Sequence, residues 1–264
     1  ISKALKKINN EYRTAHFGKG GMGSNPSVLG YDISDGPTKN KHGNFDNNKS
    51  QWKNVVKKDP KNIFSLTDKA IQFIDICSEK NIPFFLQISH YAVHSNIESK
   101  SQSYTHFKEK PKGNQHIDPG FAAMTFNLDE SLGMLLKKIK DLELEDNTYI
   151  FYMSDNGSVP NIPGAKKYDK SYNYPLSRGK WDAYEGGIRV PLIVAGPGIK
   201  KGSESSVPVS GSDILPTLIE LAGNKKIVLP EIDGGSFASV LYNENIKQIK
   251  REVEGIFFHV PYKN

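Results

Sequence analysis

Apolar residues in this chain follow two alternating rhythms, and that alternation restricts its fold more than any other feature. Phe121, Met124, Leu128, Leu132, Leu135, Ile139 and Leu142 recur every three or four positions, the spacing of one buried helix face. Soon afterwards Tyr149-Ile150-Phe151-Tyr152-Met153 forms a short aromatic run closed by Ser154-Asp155-Asn156-Gly157, which reads as a buried strand ending in turn formers. The same change of rhythm occurs elsewhere. Residues 2–10 read as helix and lead into a strand at Tyr12–Phe17. A helix capped by Ser65 or Thr67 runs to about Lys80 and precedes a strand at Pro83–Ser89. Val190–Ala195 is a further strand, Ser212 to about Gly223 a helix, and Ile256–Pro261 a last strand. Between these lie two irregular stretches. Residues 24–60 read as loop with short strands around Tyr31 and Phe45, and residues 95–118 as polar loop. Helices alternating with strands imply an α/β fold in which a sheet is covered by helices.

Composition closes off several function classes. No run of eighteen apolar residues exists, so no membrane-spanning helix is encoded. The N-terminal segment Ile1–Ile8 is amphipathic rather than a signal peptide, and its lack of an initiator Met leads us to expect material removed upstream. The net charge is +6, but the lysines are scattered in pairs such as Lys57-Lys58 and Lys200-Lys201. That pattern suits solvated surface, not the continuous basic stripe of a nucleic-acid binder, and is compatible with steering an anionic substrate. Cys77 is the sole cysteine, which excludes a disulfide framework and a cysteine metal site; it should pack on its helix.

The chemistry gathers where strands end, which in α/β sheets is where ligands bind. Lys19 lies in the glycine-rich stretch 18–23, His94 follows the strand at 83–89, Asp155 and Asn156 follow the strand at 149–153, and Lys180 lies downstream. Carboxylate and amide oxygens suit calcium or magnesium. Two ammonium groups can neutralise an anionic ester, and a histidine can protonate a leaving alcohol. Each residue also has a plainer reading. Asp-Asn-Gly makes an Asx turn, Lys19 can be surface, His94 can be a satisfied strand-end histidine, and Lys180 can pair with Glu185 or Asp182.

Several blocks, in order, resemble the sulfatase family of the alkaline phosphatase superfamily. They are Tyr12–Lys19, Pro83–Leu86 followed by His94, Ser154–Gly157, Gly179-Lys180 followed by Tyr184–Pro191, Asp213–Thr217 and Phe258–Tyr262. The resemblance implies an alkaline-phosphatase-like mixed, largely parallel central sheet with helices on both faces. A catalytic domain would occupy residues 1–225, and the start of a small C-terminal antiparallel subdomain residues 226–264. It implies that Asp155 and Asn156 bind calcium rather than magnesium, that Lys19 and Lys180 hold sulfate oxygens, that His94 is the general acid, and that Arg189 orders its turn by pairing with Glu185. The implied partner is an anionic small-molecule or glycan sulfate ester, with no nucleic acid. The implied location is periplasmic or secreted.

The departures from the family pattern shape the expectation. The Cys/Ser-x-Pro-x-Arg motif that matures to formylglycine is absent, as is the early Asp-Asp pair, and Gly21 stands where the family has a histidine. His16, His42 and His90 are the histidines that could stand in. We therefore expect an internal piece of a sulfatase, inactive alone and weak in calcium binding. Two other readings stay open: a phosphodiesterase or phosphonate monoester hydrolase of the same superfamily, and a noncatalytic binder of sulfated glycans. Lys39, Lys41, His42 and Lys100 are candidates for substrate selectivity in the two long loops.

Overall fold

The computed structural model describes residues 1–20, 25–113, 116–159, 173–223 and 232–259. In chain order the elements are helix α1 (Ser2–Ile8), strand β1 (Arg13–Gly18), β2 (Ile33–Ser34), a 3₁₀ turn at Asn40–Gly43, β3 (Val55–Val56), a second 3₁₀ turn at Pro60–Asn62, α2 (Ile63–Glu79), β4 (Phe84–Ser89), β5 (Glu98–Ser99), α3 (Ser101–Glu109), α4 (Pro119–Asp141), β6 (Ile150–Met153), α5 (Glu185–Ile188), β7 (Leu192–Ala195), α6 (Ile214–Leu221) and α7 (Ala238–Tyr242). The expected α/β class is present, and the periodic helices begin and end within about two residues of where their apolar spacing places them.

The sheet comes in three parts. β1 lies between β2 and β4, all parallel; β3 pairs with β5 in parallel; β6 pairs with β7 antiparallel. The register of β1 and β4 fixes the site's geography, because Gly18 lies opposite Ser89. Both strands end at the same height, so the chain after Gly18 and the chain after Ser89 emerge side by side.

The core sits between β1 and α2. Ala15 and Phe17 of β1 meet Leu66, Ala70, Phe73 and Cys77 of α2, with Tyr91 closing the cluster. Phe73 stands edge-on to Phe17 and to Phe84, at centroid distances of 6.4 and 6.1 Å. Burying each such side chain contributes roughly 1.5–3 kcal/mol. Cys77 lies here as expected, and burial pushes its thiol pKa up.

Four expectations need correction. The polar loop at 95–118 contains a strand and a helix. α3 forms because its neighbours hold it: Asn127 of α4 accepts from the Lys100 N–H at 3.0 Å and donates to Ser103 Oγ at 2.7 Å, and Phe107 stacks edge-on against Phe126. No strand forms at Phe45; the third strand lies instead at Val55–Val56, where Val55 N–H bonds to the Ile97 carbonyl. Residues 256–259 form no strand, and Phe257 is 77% exposed; Val260 and Pro261 lie outside the described residues. Finally, β6 is not a buried strand. Tyr152 and Met153, at 36% and 43% exposure, and Ile193 of β7, at 63%, present apolar side chains to solvent. The expected domain boundary at 225 also falls outside the described residues. No described helix is long and apolar enough to cross a membrane.

Candidate active site

Lys19 is placed by glycine. Gly18 ends β1 at φ +92°, and a Cβ there would lie 2.2 Å from the Ser89 carbonyl oxygen. Only glycine lets the chain turn so tightly over the end of β4. Lys19 N–H then donates to Ser89 O at 2.7 Å. Thr38 clamps the other side: its hydroxyl donates to the Gly18 carbonyl, and Gly20 N–H donates to Thr38 Oγ1 at 2.7 Å. Gly21 lies outside the described residues.

His94 follows β4. Its Nδ1 lies 2.8 Å from the Ser95 carbonyl oxygen. A carbonyl only accepts, so Nδ1 carries a proton and Nε2 is the nitrogen left for other partners. Phe45 stands edge-on to the ring at 4.8 Å, and Asn40 Nδ2 is 3.5 Å from Nε2. Burial lowers the His94 pKa. The Ser95 carbonyl opposes that shift, while the charges of Lys180, Lys19 and Lys61 push in the same direction as burial.

Asp155 and Asn156 end β6. Asn156 Nδ2 donates to the Gly157 carbonyl at 3.1 Å, which engages one of the amide's two N–H groups within its own loop. Lys180 reaches the same place from a separate loop. Its N–H donates to Ser158 O at 3.0 Å, and Asn173 ties the two loops by accepting from Ser158 N–H at 3.0 Å and donating to Ser158 O and Arg178 O at 2.9 and 3.1 Å. Burial lowers the Lys180 pKa; Asp155 opposes the shift and Lys19 adds to it. Both plainer partners of Lys180 form ion pairs with arginines. Asp182 pairs with Arg178 at 3.0 Å, and Glu185 pairs with Arg189 at 3.4 Å, the pairing expected for that turn.

Three glycines lock this half together. Gly157 N–H donates to Gly187 O at 2.9 Å, and a Cβ on Gly157 would lie 1.7 Å from Gly186 O. A Cβ on Gly186 would meet Arg178 O at 2.2 Å, and one on Gly187 would meet Asp182 O at the same distance. The Glu-Gly-Gly of α5 is therefore a packing requirement.

Lys19 and Lys180 thus lie within electrostatic reach of His94, and Lys19 and Asp155 within reach of Lys180, although the four come from separate loops. Among the described residues no group of three or more His, Cys, Asp or Glu could hold a metal. Asp155 and Asn156 offer the right kind of oxygen, but only two of the six to eight ligands a calcium ion takes. Of the remaining candidates, Lys100 Nζ sits 3.4 Å over the Phe64 ring and 3.7 Å from Glu130, so it serves helix packing. His42 bonds Lys39 within the first 3₁₀ turn. His16 Nε2 meets Ser89 Oγ at 3.1 Å, and the Nδ1 atoms of His16 and His90 are buried without partners among the described residues. Sequence reasoning missed Thr38, Asn40, Phe45 and Asn173, polar or aromatic residues of irregular loops that carry no periodic signal.

The family profile Sulfatase matches residues 5–224. The chain belongs to the sulfatase family. A sulfatase of Formosa agariphila is 31% identical over 210 residues, covering 75% of this chain and 36% of the relative. Human steryl-sulfatase is 34% identical over 181 residues, covering 67% of this chain and 29% of that protein. The chain therefore spans about a third of the length of these curated relatives. Among solved structures, Ps i-CgsB superposes with a TM-score of 0.68 at 27% identity, over 88% of this chain and 55% of that one. It has also been crystallised in complex with k-i-k-neocarrahexaose.

Proposed function

We propose that the protein carrying this chain is a sulfuric ester hydrolase that cleaves a sulfate ester of a carbohydrate or aryl alcohol. The observation that carries the reading is that Lys19 and Lys180 both act on His94, while Asp155 acts on Lys180. Two ammonium groups set against one anion neutralise its nonbridging oxygens and hold it in one orientation. His94 has its Nε2 left for other partners and, when protonated, would supply the proton a departing alkoxide needs. Asp155 and Asn156 would contribute two oxygens to a calcium site, with further ligands supplied from outside this chain. A bound calcium would stabilise negative charge on the sulfate group.

The nucleophile is not within these residues: no Cys/Ser-x-Pro-x-Arg motif occurs. A formylglycine encoded upstream of Ile1 completes the proposed enzyme, and this chain alone is inactive. A carbohydrate substrate is favoured by the oligosaccharide complex of Ps i-CgsB. Export to the periplasm or beyond is part of the same proposal.

The test is to assay the whole encoded protein and the 264-residue chain side by side for sulfate release from sulfated galactan oligosaccharides and from an aryl sulfate. Turnover by the whole protein, abolished by chelation, with none from the chain, supports the proposal. Faster hydrolysis of a phosphodiester than of any sulfate ester sinks it in favour of phosphoryl transfer. Binding of sulfated glycans without turnover sinks it in favour of a noncatalytic binder.

A further inference from the structure

The loop that carries His94 is held from behind by a lysine that makes no contact with the anion site. Lys61 lies in the 3₁₀ turn before α2 and is 1% exposed. Lysine is almost never buried this deeply unless it is paired. Its Nζ donates to the Ser95 carbonyl at 3.2 Å, the same oxygen that accepts His94 Nδ1–H at 2.8 Å. One carbonyl therefore joins an ammonium group to the imidazole.

Lys61 is itself anchored. Its backbone N–H donates to Glu98 Oε2 at 2.8 Å, and Asn44 Nδ2 donates to the same oxygen at 3.2 Å. Glu98 is buried, so this carboxylate is a fixed counter-charge. Lys61 and Asn62 both adopt left-handed backbone, with φ 53° and 57°. Two successive non-glycine residues there are uncommon, and this conformation turns the lysine inward under the loop. Ser95 is tied down independently, since its hydroxyl donates to Gln51 Oε1 at 2.9 Å.

We propose that Lys61 is a positioning residue for His94: through the shared Ser95 carbonyl it fixes the ring with the proton on Nδ1 and leaves Nε2 as the nitrogen open to other partners. The statement that His94 then acts as the acid rests on the function proposed above. The tautomer and its dependence on Lys61 do not. Among the described residues, the charged groups that act on His94 are Lys19 and Lys180 from the site and Lys61 from behind. Lys61 differs from the other two in that bound substrate cannot neutralise it. Burial is the main cause of the lowered His94 pKa; the Lys61 charge adds to it in the same direction, and losing that charge moves the ring's titration to higher pH.

The experiment uses the whole encoded protein with ¹⁵N-labelled histidine. In the wild type, the ring-nitrogen shifts of neutral His94 should report the Nδ1–H tautomer; the Nε2–H tautomer overturns the proposal without any variant being made. In Lys61→Met the His94 signal should become a tautomer mixture and its titration should move to higher pH. Against a sulfate ester, kcat should drop about 10- to 100-fold, less than the full effect of a general acid, with KM changed less than about threefold. Lys61→Arg, which keeps the charge and donors, should recover part of kcat and the wild-type tautomer. A folded Lys61→Met variant whose tautomer, titration and kcat all match wild type overturns the assignment. If Lys61→Met does not fold, the wild-type tautomer and the Lys61→Arg titration decide. If the whole protein cleaves no sulfate ester, the proposed function fails, while the NMR measurements still test the positioning role.

Discussion

The two halves of the candidate site are built to different standards of completeness. The half carrying Lys19 and His94 stands on parallel strands β1 and β4. Its supports, Thr38, Phe45, Lys61, Ser95 and Glu98, all belong to this chain, and three of them are buried. The half carrying Asp155, Asn156 and Lys180 stands on the antiparallel pair β6–β7, whose Tyr152, Met153 and Ile193 face solvent. Its backbone is locked by glycines, but among the described residues only Asp155 and Asn156 are offered for the cation proposed above. Hydrogen bonds and burial thus hold the His94 half from within, whereas the Asp155 half would, under the proposed function, need further cation ligands to become a site.

That contrast can be broken in several ways. The largest effect should come from His94→Ala in the whole encoded protein, which should lower kcat on a substrate with a poor leaving group by about 10²–10⁴-fold. The loss should shrink with an activated aryl sulfate, which needs little proton donation; equal losses on both would remove His94 from the acid role. Calcium titration should separate the halves next. The whole protein should bind on the order of 100-fold more tightly than the 264-residue chain, because coordination number sets affinity. Calorimetry giving equal affinities would show that the metal half is already complete. Gly157→Ala should follow, weakening calcium binding by about 10- to 100-fold, since the added carbon collides with the Gly186 carbonyl. The His94 tautomer should be untouched, and a change there would mean that the halves are mechanically coupled.

The smallest effect is on stability. Burial pushes the His90 pKa down to about 4, against an ordinary value near 6.5. Between these values the unfolded chain binds more protons than the folded one, so this contribution is fully present above pH 6.5 and is lost as pH falls toward 4. Thermal midpoints of the whole protein should therefore decline across that window, by a few degrees per kcal/mol, and His90→Phe should flatten the decline. The rate carries the opposite dependence. His94 must be protonated to act as an acid and its pKa is lowered, so the alkaline limb of kcat/KM for the free enzyme should lie below pH 6.5.

Much of the fold was legible because it follows from periodicity. α4 and α2 bury one face each, and their spacing announces it. β1 and β4 end at glycine or polar residues, so Lys19 and the His90–His94 loop could be placed at strand ends before any coordinates. What escaped was held by tertiary contacts. α3 depends on Asn127 and Phe126, which lie in another helix, and its own sequence is too polar to signal burial. The strand expected at 256–261 had the right composition but found no partner among the described residues. Within the site, the residues with their own chemistry could be read, and the residues that hold them could not. Lys61 is the clearest instance, because a lysine in Lys-Asp-Pro-Lys-Asn reads as solvated surface until its Nζ is found against a buried carbonyl.

The packed glycines 157, 186 and 187 also bear on how such a site can diversify. With Gly157 bonded to Gly187 and no room for a side chain between the two backbones, the loop after Asn156 and the turn of α5 are held together by main-chain atoms. A side chain added at any of the three glycines would have to push backbone aside. Change comes more cheaply in the surrounding loops, which can lengthen, shorten or recharge without meeting this contact.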